Sequence, residues 1–369
     1  MNKQLLAAGL SAACVAAAAQ SSVTVGGTID LAARQVRNGS VGSIKSEVSG
    51  ANSTSKLVLR GVEDLGGGLS AGFFLDATIL ADTGVAGATA QPGPFWDRRS
   101  TLSLADVRLG ELRAGRDWVP THLVWSGFDP FFTLGIAGAN TFRSFAASRA
   151  LGQAFGTAGE ATTANPTLRV SNALEYFLPA GLAGVYGQLI VTAAEGGTTA
   201  SGGTRGQGFR LGWAQGRWNI AAAQFTTRNA SGNHAFTDQA YGLSYDFGVV
   251  KLDVAQRRWV FGVDRTVNTQ VGAVIPLGQG AIKLTYLRAD QTGATAALSA
   301  NDAKLLGAGY VYNLSRRTAL YAHLSRVANQ GTATFAVLGG PAVSATPSAA
   351  NYFGGQKSTA YEFGVRHDF

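Results

Sequence analysis

From Val23 onward the chain alternates. Val23, Val25, Ile29 and Leu31 fall on one phase of a period of two, and Thr24, Thr28, Asp30 and Arg34 on the other. Successive side chains of a strand point to opposite faces, so this pattern predicts a strand with one apolar and one polar face. The signature returns along the chain. Leu57 and Leu59 oppose Lys56 and Arg60; Leu102 and Leu104 oppose Arg99, Thr101 and Ser103; Val170, Leu174 and Tyr176 oppose Arg169, Ser171 and Glu175. Further on, Val250, Leu252 and Val254 oppose Lys251, Asp253 and Arg257, and Ile282, Leu284 and Tyr286 oppose Lys283 and Thr285. The last nine residues repeat it, with Tyr361, Phe363, Val365 and Phe369 against Glu362, Gly364, Arg366 and Asp368. About ten alternating residues suit a tilted strand that crosses a bilayer. A soluble sandwich alternates equally, so the pattern alone leaves open which face is inside.

The connections favour the membrane reading. Seven short turns, most of them glycine-bearing, come at 64–68, 105–110, 179–181, 215–217, 247–249, 277–279 and 314–317. Between them fall eight longer segments rich in Gly, Ala, Ser, Thr and Asn, at about 35–54, 81–97, 119–166, 194–205, 228–237, 262–265, 290–302 and 327–357. Fifteen connections join sixteen strands, and the strict alternation of short and long is the habit of outer-membrane barrels. The predicted fold is all-β: a sixteen-stranded antiparallel transmembrane β-barrel. An even count places both termini on the side of the short turns. Phe73, Phe74, Tyr176, Phe177, Trp218, Tyr245, Phe247, Tyr310, Tyr312, Tyr321 and Phe369 gather near those turns, where amphipathic rings suit the level of the headgroups.

Composition agrees. Charged residues make up 14% of the 369, against roughly 25% in soluble domains. Glycine accounts for 49 residues, about twice the ordinary share. Residues 1–19 read as an export leader: Lys3 gives the positive start, residues 5–13 begin an apolar stretch, and Ala17-Ala18-Ala19 gives the small-residue site after which cleavage is predicted. The only cysteine, Cys14, leaves with it. A lipoprotein acylated at Cys14 is the rival reading, and Ser11 stands where that reading needs a large aliphatic residue. The remaining chain, residues 20–369, carries 29 basic against 22 acidic residues, a net +7. No later stretch runs 18 apolar residues without a charge, so no transmembrane helix is predicted. An exported chain resident in a membrane is then left with a barrel.

Several segments resemble the general porins of Gram-negative bacteria, of the β-proteobacterial and neisserial type. Residues 55–69 (SKLVLRGVEDLGGGL) look like their second strand and first turn, and residues 20–25 (QSSVTV) like their mature start. Gly115-Arg116-Asp117 with Pro120 resembles the entry to their third loop, and Phe128-Asp129-Pro130-Phe131 a segment within it. Residues 169–176, 314–322 and 364–369 are similar to the strand after that loop and to the closing strands. The resemblance implies a homotrimer and a third loop, here about 119–166, folded into the lumen. It also implies residence among outer-membrane lipids, and a terminal strand (Tyr361, Phe363, Val365 and Phe369) read by the barrel assembly machinery; the basic charge of the outer loops is a separate reason to expect lipopolysaccharide as a partner. One departure is that residues 119–166 carry only two acids, Asp129 and Glu160, against Arg143 and Arg149.

A barrel of this size is wide enough for water, and a loop of that length is too long to be idle. Its Trp125, Phe128, Phe131, Phe132 and Phe142 imply packing against something. Charged rings at a narrowing set ion selectivity, and Arg or Lys rings favour anions. Lys56, Arg60, Arg99, Arg116 and Arg169, with the loop acid Asp129, are the candidates to line the channel. The phase at Arg116 is open, because Arg113 occupies the other one. The expectation is a general diffusion channel preferring small anionic solutes, with a solute-selective channel as the alternative. No catalytic residue is nominated. His122, His234, His323 and His367 form no H-E-x-x-H pair and neighbour no G-x-S-x-G elbow. Gly66-Gly67-Gly68 lacks the Lys and Ser or Thr of a phosphate loop. No cofactor, metal or nucleic-acid partner is implied.

Overall fold

The computed structural model describes residues 21–87, 94–156, 166–193 and 205–369. The predicted leader, its cleavage site, Glu160 and nearly all of the 194–205 connection lie outside the described residues. The strands are β1 (Ser22–Asn38), β2 (Gly42–Ser49), β3 (Lys56–Gly66), β4 (Leu69–Leu80), β5 (Val85–Ala86), β6 (Arg99–Asp106), β7 (Gly110–Trp118), β8 (Arg169–Phe177) and β9 (Val185–Thr192). They continue as β10 (Gly206–Gln215), β11 (Trp218–Arg228), β12 (Ala235–Asp246), β13 (Lys251–Phe261), β14 (Asp264–Leu277), β15 (Gly280–Thr292), β16 (Ala303–Asn313), β17 (Thr318–Asn329) and β18 (Lys357–Asp368). Neighbours in sequence pair antiparallel, and β18 returns to pair with β1 from Thr28↔Asp368 to Asn38↔Ser358. β2 and β3 both face β1 and form one broken stave, and β5 is a two-residue arm on β4. The barrel is therefore the expected closed, sixteen-stranded antiparallel one. Closure satisfies every edge, the condition for a sheet in lipid.

The sheet is turned inside out. On β18, Phe363 is 61% exposed and the adjacent Glu362 is 1% exposed. Val23, Leu102, Leu174, Leu252, Leu306 and Leu324 face outward and are exposed, while Asp30, Glu175, Asp238, Arg257 and Gln270 are buried on the opposite phase. All seven short turns lie where the sequence pattern placed them. No helix among the described residues is long and apolar enough to cross a membrane.

Three expectations need correction. The first long loop, read as 35–54, is mostly strand: β1 runs to Asn38 and β2 begins at Gly42, in register from Leu31↔Ser49 to Asn38↔Gly42. Its outward residues Arg37, Ser43, Lys45 and Glu47 are polar, so the backbone ladder forms where apolar alternation has already stopped. The true interruption is at 50–55, where Gly50 adopts φ +78 and the Asp30 carboxylate accepts from the N–H groups of Ala51, Asn52 and Ser53. Secondly, Tyr321 is not a rim aromatic. It occupies the inward phase, buried, and its hydroxyl donates to Asp30. Thirdly, Val170 is buried with Val119, Ala173 and Phe225 rather than facing outward. A bulge at Gly115/Asp117, with Asn172 at φ 53, shifts the phase there.

Candidate pore constriction

After β7 the chain turns into the barrel. Pro120 opens the helix α1 (Pro120–Gly127), where its missing N–H costs nothing. α1 packs against β11 and β12. A tight segment follows, then a 3-10 turn (Ala139–Arg143) and the helix α2 (Arg149–Phe155), which lies on β13 and β14. Trp125, Phe128, Phe131 and Phe142 are all 3% exposed or less; Trp125, Phe128 and Phe142 pack with wall positions such as Ala221, Ala240, Leu287 and Leu305, and Phe131 stands edge-on to His323.

Small residues on the wall admit the loop. The Phe128 ring covers Gly242 on β12, Pro130 covers Gly272 on β14, and Ala137 meets Gly307 on β16; a Cβ at any of these glycines would overlap the loop. All three are on inward phases, so the loop follows a track of missing side chains.

Two carboxylates hold it. Asp129 accepts from the N–H of Phe131, Thr133 and Ala139, each at 2.9 Å. Glu362, on the wall, accepts from Ile136 N–H at 3.3 Å, from Arg34 Nε at 2.7 Å, and lies 2.8 Å from His323 Nδ1.

On the open side of the loop is a cavity of about 390 Å³. Lys56, Arg98 and Arg169 reach it from the wall and Arg143 from the loop. No carboxylate is among the described residues that line it. The Arg169 guanidinium lies 3.4 Å from the centre of the Trp118 ring, which is also 5.5 Å from that of Arg98. A guanidinium held over an aromatic face keeps its charge while its donors stay free to turn to an anion. His122 stacks on Trp118 at 4.5 Å. Burial, and the Arg257, Arg143, Arg169 and Arg98 guanidinia, hold its imidazole well below the ordinary range. It stays neutral at neutral pH, so all the positive charge comes from lysine and arginine.

A family model described as Gram-negative porin matches residues 6–332. The chain belongs to the Gram-negative porin family. It is similar to outer membrane porin protein 32 of Delftia acidovorans, at 34% identity with both chains covered in full. It is also similar to an outer membrane porin protein of Bordetella pertussis, at 28% over the full length of both. Among solved structures, the anion-selective porin from Comamonas acidovorans superposes with a TM-score of 0.76 at 31% identity, over 95% of this chain and 100% of that one. The protein is thus a channel of the outer membrane and not an enzyme.

The porin treats the six residues expected at the lining differently. Lys56 and Arg169 come together at the cavity. Arg60 lies two positions along the same face of β3, exposed. Arg99 is engaged by Asp117 at 3.3 Å and covers the Phe74 ring at 4.3 Å. Arg116 takes the phase opposite Arg113; its Nε donates to the Asp97 carbonyl and its Nη1 to Ser171. Asp129, expected on the channel, is 2% exposed and occupied by the loop's own backbone. Arg98 and Arg143 were not nominated. Arg98 pairs with Asp76 at 2.9 Å at the entry to β6, one residue before the alternation becomes readable, and Arg143 sits where no period applies.

The neutral His122 leads to an expected outcome. Parent and His122→Gln porins should show the same dependence of reversal potential on pH through the ordinary histidine range, because a histidine held well below that range does not charge within it. A His122 ring titrating near its ordinary value by NMR would sink this.

Proposed function

We propose that this porin passes small hydrophilic solutes by passive diffusion and prefers anions, with the narrowing between Lys56, Arg98 and Arg169 on the wall and Arg143 on the loop. The observation that carries this is a lining with four cationic side chains and no carboxylate. Low-dielectric walls focus their field into the water column and raise the local concentration of counter-ions. The similarity to a porin described as anion-selective supports the same reading. Reversal potential of the refolded porin across a potassium chloride gradient tests it: a chloride-favouring potential is expected, and a potassium-favouring one overturns the proposal. Conductance that saturates at low concentration of one solute would instead mark the solute-selective alternative.

Three further parts of the reading belong here. Residues 1–19 act as an export leader, on the pattern of Lys3, the apolar stretch and Ala17-Ala18-Ala19, and the porin is a homotrimer, on family resemblance. Mass spectrometry of the mature N-terminus and the native mass in detergent check them. Tyr361, Phe363 and Val365 on β18, with Phe369 just after it, offer an outward apolar stripe for the assembly machinery; loss of insertion on replacing Phe369 is the test. At the opposite end of the wall, Lys304, Arg326 and Lys357 share the outward phase of Leu306 and Leu324. Cations just beyond the apolar band suit the phosphates of outer-leaflet lipopolysaccharide, and co-purification unchanged after their replacement by Ser would count against it.

A further inference from the structure

Phe132 is the exception among the loop aromatics. Trp125, Phe128, Phe131 and Phe142 are buried, whereas Phe132 is 58% exposed. Its backbone is also unusual: φ is 52 at Phe132 and 63 at Thr133, two consecutive non-glycine residues in the left-handed region. Bulky residues adopt that region only when their surroundings force it, and such outliers gather at ligand sites. The force here is Asp129, whose carboxylate takes the Phe131 and Thr133 N–H groups and whose carbonyl takes that of Phe132. The loop is thus held in an unfavourable backbone state that turns a large apolar ring out of its own core.

The ring is turned toward charge. Phe132 lines the same cavity as Lys56, Arg98, Arg143 and Arg169. On its other side, the Lys283 Nζ stands 5.3 Å from the ring centre. An aromatic face beside guanidinium groups in a 390 Å³ space suits a solute that is flat and apolar at one end and anionic at the other. A guanidinium can take a carboxylate in bidentate fashion, and a second ring can lie offset on Phe132.

We infer that Phe132 and the facing guanidinium groups form a binding site for small aryl carboxylates within the channel, at which such anions dwell longer than aliphatic ones of the same charge. The inference rests on the anion-preferring reading of this cavity and adds a solute class to it. Simple anions need only the cations, and aryl carboxylates use both halves.

The test uses the full refolded porin in planar bilayers carrying chloride current, with benzoate and acetate as competing anions. Benzoate should reduce chloride current at about three- to tenfold lower concentration than acetate, the ratio that one offset aromatic contact supplies. Phe132→Gly, which keeps the left-handed backbone without strain, should bring benzoate to the acetate value and leave acetate unchanged. Phe132→Tyr should retain the difference. Equal inhibition by the two anions in a chloride-favouring parent overturns the aryl site alone. Benzoate inhibition undiminished in Phe132→Gly overturns it too, by removing the ring from the account. A potassium-favouring reversal potential in the same bilayers overturns the site together with the anion reading beneath it.

Discussion

A porin in which Lys56 and Arg169 are both replaced by Glu should favour potassium over chloride, the reverse of the parent. Both side chains line the cavity, and neither has a carboxylate ion-pair partner there among the described residues. Each exchange removes a positive and adds a negative charge. At about 4 Å a unit charge is worth about 1 kcal/mol to a passing ion even at the dielectric of water, which is about fivefold in relative occupancy. Two units at each of two positions are four factors of about five, roughly six hundredfold before screening, so a change of at least about a hundredfold in the chloride-to-potassium ratio is expected at ~0.1 M salt, where the screening length is about 10 Å. Arg99→Ser should move the ratio much less, because Asp117 already offsets that charge. A double variant that still favours chloride would place the controlling charges elsewhere.

The second large effect is expected at Asp129, which faces no solute. In Asp129→Ala, the N–H groups of Phe131, Thr133 and Ala139 lose their acceptor inside a buried turn. An orphaned buried donor costs about 1–3 kcal/mol, so the loss of three is roughly 3–9 kcal/mol locally. Of the hydrogen bonds that residue 129 makes to hold Phe132 and Thr133 in the left-handed region, only the one from the Phe132 N–H to its backbone carbonyl then remains. The barrel itself should close as before, since its strand ladders do not use this carboxylate. Amide exchange at Thr133 and Ala139 should rise by roughly a hundredfold or more, with single-channel current becoming noisier. Parent-like exchange at both amides would show that the turn is held by its packing alone.

The walls of this porin were readable from the sequence because a barrel in lipid must repeat one rule at every strand. Phe363 out and Glu362 in, Leu102 out and Thr101 in, are consequences of period two between two solvents. Turns were readable because glycines such as Gly216 and Gly278 supply positive φ there. What failed was whatever departs from the period. On β7 the alternation runs unbroken and keeps Arg113 inward, while Arg116 on the other phase turns to Asp97 and Ser171; the bulge facing Gly115 and Asp117 breaks the phase of β8 instead. Asp129 was placed by its charge, although its role comes from hydrogen bonds of a non-repeating turn. The seat of the loop did leave a trace, in glycines at inward strand positions such as Gly242 and Gly272. Read strand by strand they are mere weak points; only the superposed loop gives them a meaning.

The seam between β1 and β18 bears on how the molecule comes to exist. Gly27 and Phe369 exchange backbone hydrogen bonds at 3.1 Å, and the Phe369 ring rests where a Gly27 side chain would be. Thr28 and Asp368, bonded at 2.8 Å, are 340 residues apart in the chain. Bringing such distant ends together costs roughly 5 kcal/mol of chain entropy, with no reward until the final strand arrives. Until then, two raw strand margins invite pairing with any other polypeptide. A nearly finished cylinder is therefore the species most exposed to aggregation, and the risk falls only when the last strand zips home.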